Sequence, residues 1–215
     1  MKNQPSQAWP QTIHGAFPCP VYRIKRDLNL TNKEEKEIRK IVQEGMYKNV
    51  GNSTSVNSYI FNGKLKNIKQ FCEQQLKIYV KEVITPEEEL DFYITQSWLN
   101  ITKPGGYHHN HSHQNSIISG VFYISTEEDD KITFQDPNTK IKHLINFKLK
   151  EHTVFNSPEW FFSVNTNELV LFPSWLDHHV ESNEKATKDR ISLSFNTFAK
   201  GIFGDKGSTA ELILK

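Results

Sequence analysis

At 215 residues and 25.0 kDa the chain can bury a core without disulfide staples, and it fits one compact domain with one active site. Its 26 basic and 25 acidic residues leave a net charge of +1, which excludes a global field for drawing in nucleic acid or an anionic membrane. Cys19 and Cys72 are the only cysteines, which excludes a disulfide framework and a four-thiolate metal site and favours a reduced compartment.

Residues 1–20 are polar and carry four of the nine prolines, a composition that predicts an extended N-terminal arm. They lack the apolar run of a signal peptide, and no later stretch is as long as a membrane span. A soluble, cytoplasmic protein with no membrane partner is therefore expected. The first helix is expected over residues 32–44. Thr31 and Glu34 have capping-box spacing, Leu30 can serve as a staple, Ile38, Ile41 and Val42 share a face, and Gly45 can end it. A second helix is expected from Lys66 to Val83, with Ile68, Phe71, Leu76, Tyr79, Val80 and Val83 at helical spacing.

After Pro86 the pattern changes to short aromatic and β-branched runs divided by Gly, Pro, Asn and Asp. Strands are predicted near 92–101, 116–125, 131–135, 153–164, 168–172, 178–182 and 190–198. Many short strands without helices between them indicate a closed or double-sheet architecture, a sandwich or jelly roll. The expected organisation is mainly β with N-terminal helices: an arm over 1–20, a helical support over 21–90 and a β core over 91–215.

Six of the nine histidines fall in two clusters, Y-H-H-N-H-S-H (Tyr107 to His113) and W-L-D-H-H-V (Trp175 to Val180). In a regular strand, His109, His111 and His113 share one face while His108 points away. Two ligands from this strand and a third from the second cluster would make a facial metal site, although imidazole suits iron, zinc, copper and nickel alike. His178 and His179 face opposite sides of a strand, so only one of them can be that third ligand. The alternative is that these are surface histidines satisfied by solvent. The joint occurrence of an H-x-H before an apolar strand and a distant second cluster argues against it.

Four segments carry a family resemblance: S-W-L-N-I-T-K-P-G-G-Y (Ser97 to Tyr107), H-S-H-Q-N-S-I-I-S-G-V-F-Y-I (His111 to Ile124), F-Q-D-P (Phe134 to Pro137), and L-F-P-S-W-L-D-H-H-V-E-S-N (Leu171 to Asn183) with D-R-I-S-L-S-F-N (Asp189 to Asn196). Over about the last 120 residues the chain resembles the 2-oxoglutarate- and Fe(II)-dependent oxygenases of marine phages and bacteria, distant relatives of the prolyl 4-hydroxylases. The resemblance implies a double-stranded β-helix, the cupin-like jelly roll. It also implies an enzyme using Fe(II), 2-oxoglutarate and O2, acting in the host cytoplasm if the gene is phage-borne.

Carried over by position, the resemblance makes His111, His113 and His178 the metal ligands. It makes Arg190 the partner of the distal carboxylate of 2-oxoglutarate, with Ser192 and Tyr123 assisting. Asn100 and Trp98, on the preceding strand, are expected to line the pocket. Better-known relatives place an aspartate where His113 stands. Two alternatives are therefore carried for the ligand set: the pair His109 and His111, or a carboxylate from Asp136.

The implied reaction is hydroxylation of a small molecule or a protein side chain, with release of succinate and CO2. Nucleic acid is disfavoured by the neutral charge, and a homodimer is admitted. Two rivals have other consequences: a three-histidine cupin-type dioxygenase that does not use 2-oxoglutarate, and a non-enzymatic β-sandwich binding or structural protein. The first accounts for His113 but gives Arg190 and Ser192 no task.

Overall fold

The computed structural model describes residues 13, 15–87, 90–139, 145 and 147–215. Most of the predicted arm lies outside the described residues. The elements run in the order β1 (Tyr22–Lys25), α1 (Asn32–Glu44), β2 (Met46–Lys48), β3 (Ser53–Ser55), α2 (Lys66–Tyr79), a π-helical turn (Val80–Ile84), β4 (Asp91–Thr102), β5 (His108–His111), β6 (Ile118–Ser125), β7 (Lys131–Gln135), β8 (Glu159–Ser163), β9 (Glu168–Pro173), β10 (His178–Val180), β11 (Arg190–Phe203) and β12 (Leu212–Leu214).

Two antiparallel sheets form the fold. The larger has the order β1-β9-β6-β11-β4-β3-β2, with β12 added to β11, and the smaller has the order β5-β10-β7-β8. Together they make a double-stranded β-helix. Alternation along β11 shows how the large sheet divides its faces. Leu193 and Phe195 are buried in an outer core with Ile38 and Ile41 of α1 and Ile68, Leu76 and Tyr79 of α2. Arg190, Ser192, Ser194 and Asn196 occupy the alternate positions and point to the other face, inside the barrel. The inner face is apolar at one end, where Tyr123, Val170 and Phe172 of the large sheet meet Ile132 and Phe134 of the small one.

The first helix forms as the sequence predicts. Glu34 N–H donates to Thr31 Oγ1 (3.2 Å), and Thr31 N–H donates back to Glu34 Oε2 (2.8 Å). The capping glutamate also meets Arg26 at 2.8 Å, with side chains 6% and 3% exposed, so the cap is tied to the end of β1. Burial alone would raise the Glu34 pKa, but the bonds from Thr31 and Arg26 outweigh it and hold the carboxyl below its ordinary 4.5. A depressed carboxyl pKa stabilises the fold above the unfolded value, and the gain is lost as pH falls through the folded value. Glu34→Gln is therefore expected to destabilise the protein by about 3 kcal/mol at neutral pH. Its deficit should shrink progressively below pH 4.5 in urea titrations run at successive pH values.

Gly120 on β6 is required by packing. A Cβ there would lie 2.2 Å from Phe195 Cζ, across the β6–β11 pair. Because Phe195 is fully buried in the outer core, it has nowhere to withdraw. Gly120→Ala is expected to cost at least about 3 kcal/mol, read as a fall in urea midpoint without a change in slope.

The differences from the sequence expectations are local. Residues 153–164 were expected as one strand, but only Glu159–Ser163 pairs, with β7. Upstream, Thr153 N–H donates to Asn156 Oδ1 (2.7 Å) and Asn156 N–H donates to Thr153 O (3.2 Å), so asparagine turn chemistry wins over the aromatic run. The second helix continues past Tyr79 only as a π-helical turn, and β11 runs five residues past its expected end at 198. Strands β1, β2, β3 and β12 were not anticipated.

Candidate metal centre

The small sheet places both histidine clusters side by side, because β10 pairs antiparallel with β5 and sets His178 opposite His111. His113 lies just beyond β5, where its N–H donates to Ser174 O at 2.9 Å. A buried polar relay holds that turn. Ser119 Oγ donates to Asn196 Oδ1 (3.0 Å) and lies 2.8 Å from Ser174 Oγ, which donates to Ser116 Oγ (2.7 Å). The result is a trio: one ligand atom each from His111, His113 and His178 lies within 4.8 Å of the others, a span that three imidazoles can close around one ion.

The ring orientations suit ligation. His111 Nδ1 lies 2.8 Å from the carbonyl of His109, and His178 Nδ1 lies 3.0 Å from that of Leu176. With Nδ1–H donating to these carbonyls, each Nε2 keeps its lone pair for a metal. Burial lowers the pKa of His111 and His178, and it brings His113 down to about 4 with help from His111. The three rings are thus neutral at pH 7 and need lose no proton to bind. Phe172 and Phe134 pack on His178 at ring-centroid distances of 4.6 and 6.1 Å and shield it from water, while Trp98 lies 5.8 Å from His113.

On the facing wall, antiparallel register aligns side chains in rows. Tyr123, Ser192, Asn100 and Thr54 form one row across β6, β11, β4 and β3, and Arg190 pairs with Thr102 in the next. Asn100 is committed within the wall, accepting from Thr54 Oγ1 (2.9 Å) and donating to Ser194 Oγ (3.0 Å). Arg190 is only 7% exposed, yet its one recorded partner is Thr102 Oγ1 at 3.4 Å, and its Nε is buried with no partner. No carboxylate meets it among the described residues. A buried guanidinium with an unpaired Nε has room in its hydrogen bonding for an anion beside it, and Asp130 and Glu181 border the same small space without an ion pair to it. Tyr123 is also buried. Burial pushes its phenol pKa up against a partial offset from Arg190, which keeps a neutral hydroxyl near the guanidinium.

Of the expected site residues, His111, His113 and His178 come together, and Arg190, Ser192, Tyr123 and Asn100 share the opposite inner wall. The two alternative ligands do not join them. His109 is exposed and contributes only its carbonyl, and Asp136 is not part of the trio. His179 pairs with Thr133 in β7 and faces away from the trio, as strand parity requires.

The expectation for His108 needs correction. Its ring stacks on His111 with centroids 4.4 Å apart and planes at 28°. Burial, reinforced by His111, His109, Arg190 and His113, brings its pKa down to about 3. The cause is a β-bulge. His178 pairs with His111 and Val180 with His108, so three steps on β5 match two on β10 and the alternation breaks. Thr102 was also missed, although it shares the parity of Trp98 and Asn100, because the strand expected over 92–101 runs one residue further.

Residues 96–196 match the model of a family described as "Putative 2OG-Fe(II) oxygenase". Among solved structures the chain is similar to an oxidoreductase of the 2OG-Fe(II) oxygenase family from Burkholderia pseudomallei (TM-score 0.55, 9% identity, 82% of this chain and 83% of that one). It is similar to a prolyl-4-hydroxylase from Pseudomonas putida (TM-score 0.53, 16% identity, 83% and 92%). It is also similar to HygX from Streptomyces hygroscopicus, solved with nickel, 2-oxoglutarate and hygromycin B (TM-score 0.53, 10% identity, 83% and 82%). A search of curated proteins by sequence found no match. The fold and the family match define an iron-dependent oxygenase on a double-stranded β-helix. Residues 96–196 match the model of the 2-oxoglutarate- and Fe(II)-dependent oxygenases, and the solved structures share the chain's fold. Among the described residues no helix is long and apolar enough to cross a membrane.

Proposed function

We propose that the protein is a hydroxylase in which His111, His113 and His178 hold Fe(II) and Arg190, with Ser192 and Tyr123 beside it, binds the distal carboxylate of 2-oxoglutarate. The observation that carries this reading is the Arg190 guanidinium, buried on the inner wall with its Nε unpaired and no ion pair among the described residues. When bound, the ferrous ion and 2-oxoglutarate together activate O2, yielding succinate and CO2 and placing one oxygen atom on a substrate carbon. The chain's own contribution is positional. Carbonyls of His109 and Leu176 orient two ligands, the serine relay fixes the turn that anchors His113, and Phe134 and Phe172 keep water from His178. Residues 91–215 serve as the catalytic core and residues 21–90 as its support.

Three neutral imidazoles leave the ferrous centre its full +2 charge, which a dianionic chelator offsets better than a monoanion does. The same all-histidine set favours a second reading, a dioxygenase that binds its organic substrate without 2-oxoglutarate. Anaerobic addition of 2-oxoglutarate to the Fe(II) protein distinguishes the two. A visible metal-to-ligand charge-transfer band, followed by succinate formation when air is admitted, supports the first. Absence of both supports the second.

HygX was solved with hygromycin B and the Pseudomonas putida protein is named for proline, which makes a small molecule or a protein side chain the substrate class to test first. Succinate release stimulated by members of a compound and peptide panel is the assay.

A further inference from the structure

We infer that His108 is a second contact for the distal carboxylate of the co-substrate, its imidazole N–H closing on the anion from the small sheet while Arg190 holds it from the large one. This rests on the reading of Arg190 given above. Three observations place the ring there. The bulge in β5 pairs His108 with Val180, two residues along β10 from His178, whereas His111 pairs with His178 itself. Val180 in turn borders the same small space as Thr102 and Arg190. His108 therefore sits on the Arg190 side of the metal trio, where a chain chelated at one end to the metal would extend.

The second observation is contact. The ring stacks on His111 and is half-buried. His108 is not in the trio whose ligand atoms converge, so it is not a fourth metal ligand. The third is the donor inventory. Among the described residues no hydrogen bond to either His108 ring nitrogen is recorded, and a neutral imidazole carries one N–H and one lone pair to satisfy. An anion shared with Arg190 would take that N–H. A bulge is a specific departure from regular pairing, and here it comes with this one side chain laid on the ring of His111.

The test compares two oxo acids with the same chelating head, 2-oxoglutarate and pyruvate, of which only the first has a distal carboxylate. Each is titrated anaerobically into the Fe(II) forms of the wild type, His108→Phe and His108→Gln. Metal affinity is measured separately with Co(II). His108→Phe keeps a ring to stack on His111 but has no N–H. It is expected to weaken 2-oxoglutarate about tenfold, the value of one hydrogen bond to a charged group, and to leave pyruvate and Co(II) affinity unchanged. His108→Gln should recover part of the loss. Combined with Arg190→Ala, the His108→Phe loss should largely vanish, because both residues would hold one group. The inference is overturned if 2-oxoglutarate affinity is unaffected, if pyruvate weakens equally, or if Co(II) affinity falls in parallel. The last two results would mean that His108 only supports His111. Failure of the parent reading has its own signature: wild-type protein that shows no preference for 2-oxoglutarate over pyruvate.

Discussion

Arg190→Ala is expected to lose 2-oxoglutarate affinity by about 2 to 4 kcal/mol, roughly thirty- to a thousandfold, while the histidines continue to bind metal. The size follows from the setting. A carboxylate facing this guanidinium would gain charge-assisted bonds in a place with little water, and alanine would strand it there. Its neighbours in the row do not replace it, since Ser192 and Tyr123 are neutral and Asn100 is engaged by Thr54 and Ser194. Arg190→Lys should recover only part of the loss, because an ammonium keeps the charge but not the planar fork. Calorimetric titration of the anaerobic Mn(II) protein with 2-oxoglutarate measures the effect directly. Wild-type affinity in Arg190→Ala would remove this residue from the co-substrate site and return weight to the dioxygenase that needs no 2-oxoglutarate.

The largest expected effect falls on the metal itself. His178→Ala should lower Fe(II) or Co(II) affinity by more than about a hundredfold, beyond what loss of an orienting neighbour produces. His178 is 5% exposed, packed by Phe172 and Phe134, with its Nδ1 committed to Leu176, so its Nε2 is held toward the trio. His179→Ala is the matched control, one residue away on the opposite face, and should bind metal like the wild type. Metal content after anaerobic reconstitution and desalting gives the answer for both. The reverse pattern, with His179→Ala empty and His178→Ala loaded, would shift the register of β10 by one.

What the sequence made legible followed from regular repeats. The capped helix α1 and the alternating strand β11 rest on a period of 3.6 or 2.0 read over a few residues, and the structure has both; parity separated His178 from His179, and the family resemblance chose between them. Short strands such as β2 and β3 have three residues each, too few to show a period, and exist because β4 offers an edge to β3 and β3 in turn to β2. The run at 153–164 was misread because its aromatic content outweighed Asn156, whose side chain closes a turn. His108 was misassigned because parity assumes an unbroken ladder, and nothing in Y-H-H-N-H-S-H announces the extra residue in β5. The serine relay beneath His113 was equally silent, since Ser116, Ser119, Ser174 and Asn196 become neighbours only when β6, β9 and β11 pair.

The slip in β5 bears on how spacing is interpreted in barrel enzymes. His108 and His111 are separated by an interval that ordinarily signals adjacent turns of a helix, yet here it arises on a ribbon whose phase has been advanced by one residue. Two side chains can then lie against each other from positions that an alternating strand would send to opposite sides. A histidine spacing of this kind is thus as compatible with an irregular sheet edge as with a helix, and which of the two it marks is decided by the partner strand.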